Sequence, residues 1–166
     1  PAAETYRVIV FGEEKQLAYD RVHLSEYFTG STHADLAMGT ADWYAEQGID
    51  LRLNEPVTAI DRNTRVLTTP KGEYTYDQLV LATGSYPFVP PIKGNDQDGC
   101  FVYRTLDDLD AIQASAQSAK TGVVVGGGLL GLEAANALKS LGLQAHVVEF
   151  APRLMPVQLD DQGAAL

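Results

Sequence analysis

The stretch GVVVGGGLLGLEAANALKSLGLQAHVVEF, from Gly122 to Phe150, carries the strongest structural signal in this chain. Three valines run into three consecutive glycines, a segment with helical spacing follows, and a second apolar run stops at Glu149. A strand, a tight turn, a helix and a second strand in that order form the unit that binds dinucleotides in parallel sheets. We therefore predict an α/β, Rossmann-like nucleotide-binding fold.

The glycines of the turn have physical roles in binding a diphosphate. Gly126 permits a sharp turn, Gly128 leaves room for the pyrophosphate, and Gly131 allows the helix to pack closely on the strand. The start of the helix presents unpaired backbone N–H groups and the positive end of its dipole to the phosphates. The alternative is a glycine turn with a structural purpose alone.

The acid that ends the stretch indicates which dinucleotide binds. Glu149 stands roughly 20 residues after the turn, where a carboxylate at a strand end can accept hydrogen bonds from a ribose. It would repel the 2′-phosphate of NADPH, and the next basic residue is Arg153. We therefore expect NADH rather than NADPH. The helix before Glu149 predicts one buried stripe, formed by Leu130, Ala134, Ala137, Leu138 and Leu141.

The composition indicates a folded, acidic protein. Its 22 acids and 12 bases give a net charge of −10, and its 45% hydrophobic content suffices for a packed core. This charge disfavours nucleic acid and anionic membrane surfaces as partners. No apolar run has the length of a membrane span and the first residues do not resemble a signal peptide, so we expect a cytoplasmic protein. Cys100 is the single cysteine, and we predict neither a disulfide nor a metal site.

The segment Tyr6–Glu14, YRVIVFGEE, repeats the ending of the glycine unit, because a short apolar strand again runs into an acid, Glu13. A glycine loop belonging to that strand would lie about 20 residues earlier, and the chain before Glu13 is too short to hold it. We therefore expect two related nucleotide folds, both incomplete, in a chain cut at both ends. The alternative for Glu13 is a solvated acid on an edge strand.

The middle of the chain predicts an antiparallel β-meander that begins at Val57. Its last strand continues into Leu79–Ala82, an apolar run typical of a strand covered on both faces, and Gly84 ends it. Thr105–Lys120 has the spacing of a helix that leads to the glycine unit. Further short elements are predicted at Leu17–Phe28 (helix or turn), Ala41–Gln47 (helix) and Ile49–Leu53 (strand).

The chain resembles the FAD-dependent pyridine-nucleotide oxidoreductase family along essentially its whole length, in the stretches YDRVHLSEYF, LVLATGSYPFVPPIKG, CFVYRTLDDLDAI and VVVGGGLLGLEAA. Within that family it is most similar to the large subunits of NAD(P)H nitrite reductases. An NAD domain is inserted into an FAD domain in this family. The resemblance implies a partial FAD-binding domain at residues 1–97 and a partial NAD(H)-binding domain at residues 98–166.

The resemblance also implies which residues meet the two cofactors. Glu13 would hold the adenosine ribose of FAD, the backbone at Val57 would meet the adenine, and Arg104 would pair with the cofactor. Thr83 and Gly84 would pass close to FAD. The residues around NADH would be Gly126, Gly128, Leu129, Leu130, Gly131 and Glu149. No side chain is expected to act as a catalytic group.

Simpler interpretations stay open for several of these residues. Arg104 could be a surface charge beside a helix, and Thr83 a plain cap at a strand end. In ferredoxin reductase relatives, Glu133 corresponds to an acid near the meeting point of flavin and nicotinamide, but a solvated helix residue explains it equally well. Glu26 stands where those relatives usually have a lysine, which weakens the likeness to them.

The implied function is an NAD(P)H-dependent flavin oxidoreductase that passes electrons from NADH through FAD to sirohaem and an iron-sulfur centre for nitrite reduction. One cysteine cannot bind those centres, so we expect them beyond Leu166, with a small subunit or an acceptor domain as partner. We expect the chain by itself to be inactive and to retain FAD weakly. The alternatives are an NADH-dependent rubredoxin or ferredoxin reductase and a non-catalytic nucleotide-binding module.

Overall fold

The computed structural model describes residues 6–165. In chain order its elements are β1 (Val8–Phe11), a 3-10 helix (Leu24–Thr29), α1 (His33–Leu36), α2 (Ala41–Glu46), β2 (Ile49–Arg52), β3 (Ala59–Asp61), β4 (Val66–Thr69), β5 (Gly72–Thr75), α3 (Leu106–Ala116), β6 (Thr121–Val125), α4 (Leu129–Ser140), β7 (Gln144–Val148) and a second 3-10 helix (Gly163–Ala165). These elements form two compact units. The first comprises the residues through Asp20 and Ala37–Ser85, and the second comprises Arg21–Leu36 and the residues from Tyr86 onward.

A parallel strand pair forms the sheet of the first unit. β1 pairs with β2 in a register that joins Val8 to Ile49 and Phe11 to Arg52. α2 precedes β2 and begins where the Thr40 hydroxyl accepts a hydrogen bond from the Trp43 N–H group. The predicted strands and the helix between them are confirmed. Parallel pairing places the carboxyl ends of both strands at one edge, which is where such sheets bind ligands.

The predicted meander is confirmed as the antiparallel sheet β3-β4-β5 in the same unit. The turn between β3 and β4 is held by Asp61, whose Oδ1 accepts hydrogen bonds from the N–H groups of Asn63 and Thr64. Alternate residues of β4, Leu67 and Thr69, are buried, as expected for a strand with one covered face.

The prediction of a covered strand at Leu79–Ala82 is wrong. This segment pairs with no strand in the described part of the chain, and the side chains of Val80 and Leu81 are 85% and 67% exposed. An apolar run becomes an inner strand only when neighbouring strands pair with its backbone and other elements cover its faces. Neither condition is met among residues 6–165.

The glycine unit in the second half folds as predicted. β6 and β7 pair in parallel, from Thr121 opposite Gln144 to Val125 opposite Val148, and α4 connects them. The helix buries Ala135 and Ala137. Leu130 is 64% exposed, so its predicted place in the buried stripe is wrong. The reason is position, because Leu130 lies in the first turn of α4, beyond the end of β6.

The predicted helix at Thr105–Lys120 is confirmed as α3, which ends at Ala116. It begins with a capping box, in which the Thr105 hydroxyl accepts from the Asp108 N–H group and the Asp108 carboxylate accepts from the Thr105 N–H group. Leu106 and Leu109 are almost completely buried. The helix therefore anchors the second unit through these two leucines.

Candidate functional site

The glycine turn joins β6 directly to the start of α4. Gly126 has a φ of 120°, a value that L-residues rarely adopt, and its N–H group donates to the Val148 carbonyl oxygen at 2.8 Å. The turn therefore begins while the chain is still bonded to β7. This geometry fixes where the first residues of α4 point.

Two glycines of this turn have opposite surroundings. A Cβ at Gly131 would lie 2.0 Å from the carbonyl oxygen of Gly126, so the helix can approach the turn only without a side chain there. A Cβ at Gly128 would have no described atom within 4 Å. Gly128 therefore leaves open space beside the turn, whereas the missing side chain at Gly131 lets α4 pack closely against Gly126.

The start of α4 is available to an anion. Gly128 is the N-cap, and no described side chain forms a capping hydrogen bond there. The first N–H groups of a helix lack partners within the helix and carry a partial positive charge. Leu129 and Leu130 in this first turn are 55% and 64% exposed. An exposed, uncapped helix start beside open space has the chemistry of a phosphate site.

Glu149 braces the glycine turn. One carboxylate oxygen accepts a hydrogen bond from the Gly127 N–H group at 2.6 Å, and the other accepts from the Ala151 N–H group at 2.7 Å. The hydrogen bonds from Ala151 and Gly127 lower the pKa of the Glu149 carboxyl below its ordinary value. Each oxygen can accept further hydrogen bonds, so the charged group can still bind ribose hydroxyls.

The segment after Glu149 also packs on the turn, which the sequence did not indicate. The Met155 N–H group donates to the Gly127 carbonyl oxygen at 2.9 Å. The Leu154 side chain lies so close that a Cβ at Gly127 would come within 2.5 Å of it. The sequence after Glu149 shows no helical or strand periodicity, so no sequence pattern predicts this contact.

The first unit places Glu13 and Val57 beyond the carboxyl ends of β1 and β2. The loops that follow these strands are joined by three backbone hydrogen bonds of 2.9 Å each, from Gly12 to Arg52, from Asn54 to Glu14 and from Glu55 to Gly12. The Glu13 side chain is exposed, and the Val57 side chain is 37% exposed. The two residues implied for the adenosine half of FAD therefore lie on adjoining loops.

Glu55 is a residue that sequence reasoning missed. Its side chain is 1% exposed, and it accepts hydrogen bonds from the Tyr74 hydroxyl at 2.8 Å and the Thr69 hydroxyl at 2.9 Å. Burial by itself raises the pKa of the Glu55 carboxyl, but these hydrogen bonds and the nearby Lys71 ammonium leave that pKa below its ordinary value. A lone glutamate before a proline gives no sequence signal for such a role.

The remaining predicted FAD residues are placed differently. Thr83 and Gly84 lie in exposed coil, and Gly84 has a φ of 66°. Arg104 is half-buried, directly before the cap of α3, and its carbonyl oxygen accepts a hydrogen bond from Arg21. No acid among the described residues pairs with the Arg104 guanidinium, which leaves it able to bind an acceptor-rich ligand.

The neighbour of Arg104, Tyr103, has an unsatisfied polar atom. Its hydroxyl is buried and has no hydrogen-bond partner among the described residues. Burial, and secondarily the Glu133 charge, raise the pKa of Tyr103 to about 12. An orphaned buried hydroxyl is costly unless a ligand or water completes it, so this observation fits a polar cofactor next to residues 103–104.

Two further features of the described residues bear on function. They contain no group of three or more His, Cys, Asp or Glu side chains arranged to hold a metal ion. No helix in residues 6–165 combines the length and the apolar character needed to cross a membrane.

Comparisons with known proteins agree with the fold. The large subunit of the NAD(P)H nitrite reductase of Klebsiella oxytoca is 61% identical over 98% of this chain, which covers 17% of that protein. The NADH nitrite reductase large subunit of Escherichia coli K12 is 51% identical over 97% of this chain, which covers 19% of that protein. A solved ferredoxin reductase of Rhodopseudomonas palustris is 30% identical, with a TM-score of 0.87 over 96% of this chain and 40% of that chain.

This chain thus spans about a fifth of the length of the curated nitrite reductases that it matches. The predicted nucleotide-binding fold is confirmed by the solved structure, and the predicted resemblance is confirmed by the nitrite reductases. A family model matches residues 1–166 in full. The chain therefore belongs to the pyridine nucleotide-disulphide oxidoreductase family.

Proposed function

We propose that this chain is the NADH- and FAD-binding electron-transfer part of an NAD(P)H nitrite reductase. The observation that carries this proposal is the glycine turn at residues 126–131, braced by Glu149 beside an uncapped helix start. An identity of 61% over 98% of the chain to a nitrite reductase large subunit supports this choice within the family.

The second unit supplies the proposed NADH site. Backbone N–H groups of Gly128, Leu129 and Leu130 would bind the pyrophosphate, and Gly126 and Gly131 would keep the turn in place. Glu149 would accept the adenosine ribose hydroxyls. Its lowered pKa keeps it charged at neutral pH, and that charge disfavours the 2′-phosphate of NADPH.

The proposed FAD residues are those that the family resemblance implied. Glu13 would hold the adenosine ribose, the backbone at Val57 would meet the adenine, and Thr83 and Gly84 would run beside the cofactor. The Arg104 guanidinium would donate to its acceptor atoms. Bound FAD supplies hydride acceptance and one-electron release, while these residues hold it in place.

The finer parts of the assignment remain proposals. Cys100 alone cannot hold the sirohaem and the iron-sulfur centre that nitrite reduction needs, so we place these centres in other parts of the parent protein. A small subunit or acceptor domain is the proposed electron-transfer partner. The division into an FAD part at residues 1–97 and an NAD part at residues 98–166, and a cytoplasmic location, stay predictions.

A ferredoxin or rubredoxin reductase is the second candidate. It is favoured by the solved ferredoxin reductase, which has 30% identity and a TM-score of 0.87. Such an enzyme would pass its electrons to a separate iron-sulfur protein. The two candidates share every residue of the proposed cofactor sites, so the physiological acceptor separates them.

The test uses the full-length parent protein under anaerobic conditions. Rapid mixing with NADH is expected to bleach the flavin absorbance, and nitrite is then expected to restore it. NADPH should bleach it more slowly, and Glu149→Ala should narrow that difference. An absence of bleaching contradicts the proposed function. If oxidised ferredoxin or rubredoxin restores the flavin absorbance and nitrite does not, the second candidate is favoured.

A further inference from the structure

The first unit buries a carboxylate that the proposed function does not use. Glu55 and Thr69 are the two polar residues that are buried in the described part of the chain, and they bond to each other at 2.9 Å. A buried charge is expensive unless it is paired and hydrogen-bonded. The first unit has a small core and nevertheless buries the Glu55 carboxylate, so we expect this carboxylate to have a specific role.

The partners of Glu55 all come from the meander. Besides Thr69, the Tyr74 hydroxyl donates to Oε1 at 2.8 Å, and Lys71 Nζ lies 3.3 Å from Oε2. The Thr69 hydroxyl also accepts from the Lys71 N–H group at 3.1 Å. Three side chains of the hairpin formed by β4 and β5 thus contact this one carboxylate.

The backbone of Glu55 reaches in the other direction. Its N–H group donates to the Gly12 carbonyl oxygen at 2.9 Å, and Gly12 in turn donates to the Arg52 carbonyl oxygen. Gly12 precedes Glu13, and Glu55 comes two residues before Val57. Glu55 therefore links the meander to the two loops that carry the residues proposed for the adenosine half of FAD.

The last residues of β1 and β2 also contact the hairpin, through the ring of Tyr74. The ring of Tyr74 packs edge-on against Phe11, with 4.9 Å between centroids, and the Arg52 guanidinium lies 5.8 Å from the Tyr74 ring centre. Tyr74 thus touches the ends of both parallel strands while its hydroxyl binds Glu55. A shift of the carboxylate would be transmitted to both loops.

We propose that Glu55 is a positioning residue for the adenosine half of bound FAD, which it serves by locking the loops at residues 12–14 and 54–57 against the meander. This inference rests on the proposed function, because Glu13 and Val57 are proposed as the FAD contacts. Glu55 itself does not touch the cofactor. Its charge matters because Oε1 accepts hydrogen bonds from two hydroxyls while Oε2 faces the Lys71 ammonium. A glutamine that kept both hydroxyl contacts would place its NH₂ donor against that ammonium, which is repulsive.

The proposal predicts a selective defect. Glu55→Gln in the full-length protein, stripped of flavin, should weaken FAD binding by about tenfold or more, the effect of losing a charged hydrogen bond. Binding of FMN, which lacks the adenosine, and binding of NADH, whose proposed site lies in the second unit, should change little. Glu73→Gln, an exposed carboxylate on the same hairpin, is the matched control and should bind FAD like the wild type.

The outcomes separate the inference from the proposed function. A wild-type protein that does not bind FAD contradicts the proposed function itself. If the wild type binds FAD and Glu55→Gln binds it equally well, or if the variant loses FAD, FMN and NADH together, the inference is wrong. Should Glu55→Gln fail to fold, Tyr74→Phe removes one donor and keeps the carboxylate. It should lower FAD affinity in the same selective way, and unchanged FAD affinity in that variant overturns the inference.

Discussion

At the scale of single residues, Gly128 and Gly131 have different roles within one turn. We expect Gly128 to matter for ligand binding and Gly131 for stability. Space is open at Gly128, whereas a Cβ at Gly131 would meet the Gly126 carbonyl oxygen at 2.0 Å. The sequence pattern gives both positions the same letter. Their surroundings predict opposite consequences for substitution, and the pair therefore tests whether this turn is a diphosphate site or only a structural turn.

Gly128→Val should weaken NADH binding and leave the fold intact. Its backbone is extended, with φ of −81° and ψ of −173°, a conformation that valine adopts readily. The side chain would fill the space proposed for the pyrophosphate, so the Kd for NADH should rise by at least about tenfold. Titration of the full-length protein with NADH measures this change. An unchanged Kd would mean that the phosphates lie elsewhere.

Gly131→Ala should instead destabilise the protein. Alanine is favoured over glycine within helices by about 1 kcal/mol, but overpacking against a backbone carbonyl costs about 1–3 kcal/mol. The difference is a net loss of up to about 2 kcal/mol in the free energy of unfolding, and we expect a value near that upper end because a carbonyl cannot move aside like a flexible side chain. Denaturant unfolding measures the loss, with Gly128→Ala as the control. Equal stability of the two variants would refute the close packing described for Gly131.

At the scale of elements, sequence periodicity predicted those parts whose signal is local. The strand, turn and helix from Thr121 to Ser140 and the capped helix α3 follow from consecutive residues. The strand predicted at Leu79–Ala82 is absent from the structure of residues 6–165, because a covered strand depends on neighbours that an apolar run does not specify. Leu130 failed for a related reason, since helical spacing does not reveal where the underlying strand ends.

The candidate site shows the same division. Gly126 and Glu149 were found from their spacing, and the structure brings them together at one turn. Glu55 and Tyr103 were missed, because a buried carboxylate and an orphaned hydroxyl are defined by tertiary contacts alone. A single sequence carries those contacts in no periodic form.

At the same scale, a hydrogen bond between Tyr27 and Asp110 joins the first 3-10 helix to α3. The Tyr27 hydroxyl donates to Asp110 at 2.5 Å, and Asp110 also contacts His33 Nε2 at 3.0 Å. The hydrogen bond to Asp110, then burial and the charge of Asp110, raise the pKa of Tyr27 from 10.0 to about 12. A raised tyrosine pKa means that the folded state favours the neutral phenol.

This contribution to stability should be complete below the unfolded pKa of about 10 and should disappear as the pH rises through about 12. Tyr27→Phe is therefore expected to be less stable than the wild type at neutral pH and equal to it at strongly alkaline pH. Denaturant unfolding across that range measures the difference, with the exposed Tyr6→Phe as control. A difference that stays constant up to pH 12 would show that the phenol contributes by packing alone.

At the scale of the whole molecule, the proposed cofactor contacts are divided between compact units. The first unit contains Glu13 and Val57, and the second contains the glycine turn with Glu149. The net charge of −10 disfavours non-specific binding of anions, so two anionic dinucleotides need specific donors to bind here. The uncapped start of α4 provides such donors in the second unit.

Each ligand should therefore leave its own pattern of protection from amide hydrogen exchange in the full-length protein. NADH is expected to slow exchange at residues 126–131 and 149–155, because the turn, Glu149 and Met155 are hydrogen-bonded to one another. FAD is expected to slow exchange at residues 12–14 and 54–57, the loops joined through Gly12 and Glu55. Gly128→Val should weaken the NADH pattern and keep the FAD pattern, whereas Glu55→Gln should weaken the FAD pattern and keep the NADH pattern. Protection of the β3-β4-β5 meander by NADH would contradict this assignment, because the proposed NADH contacts all lie in the other unit.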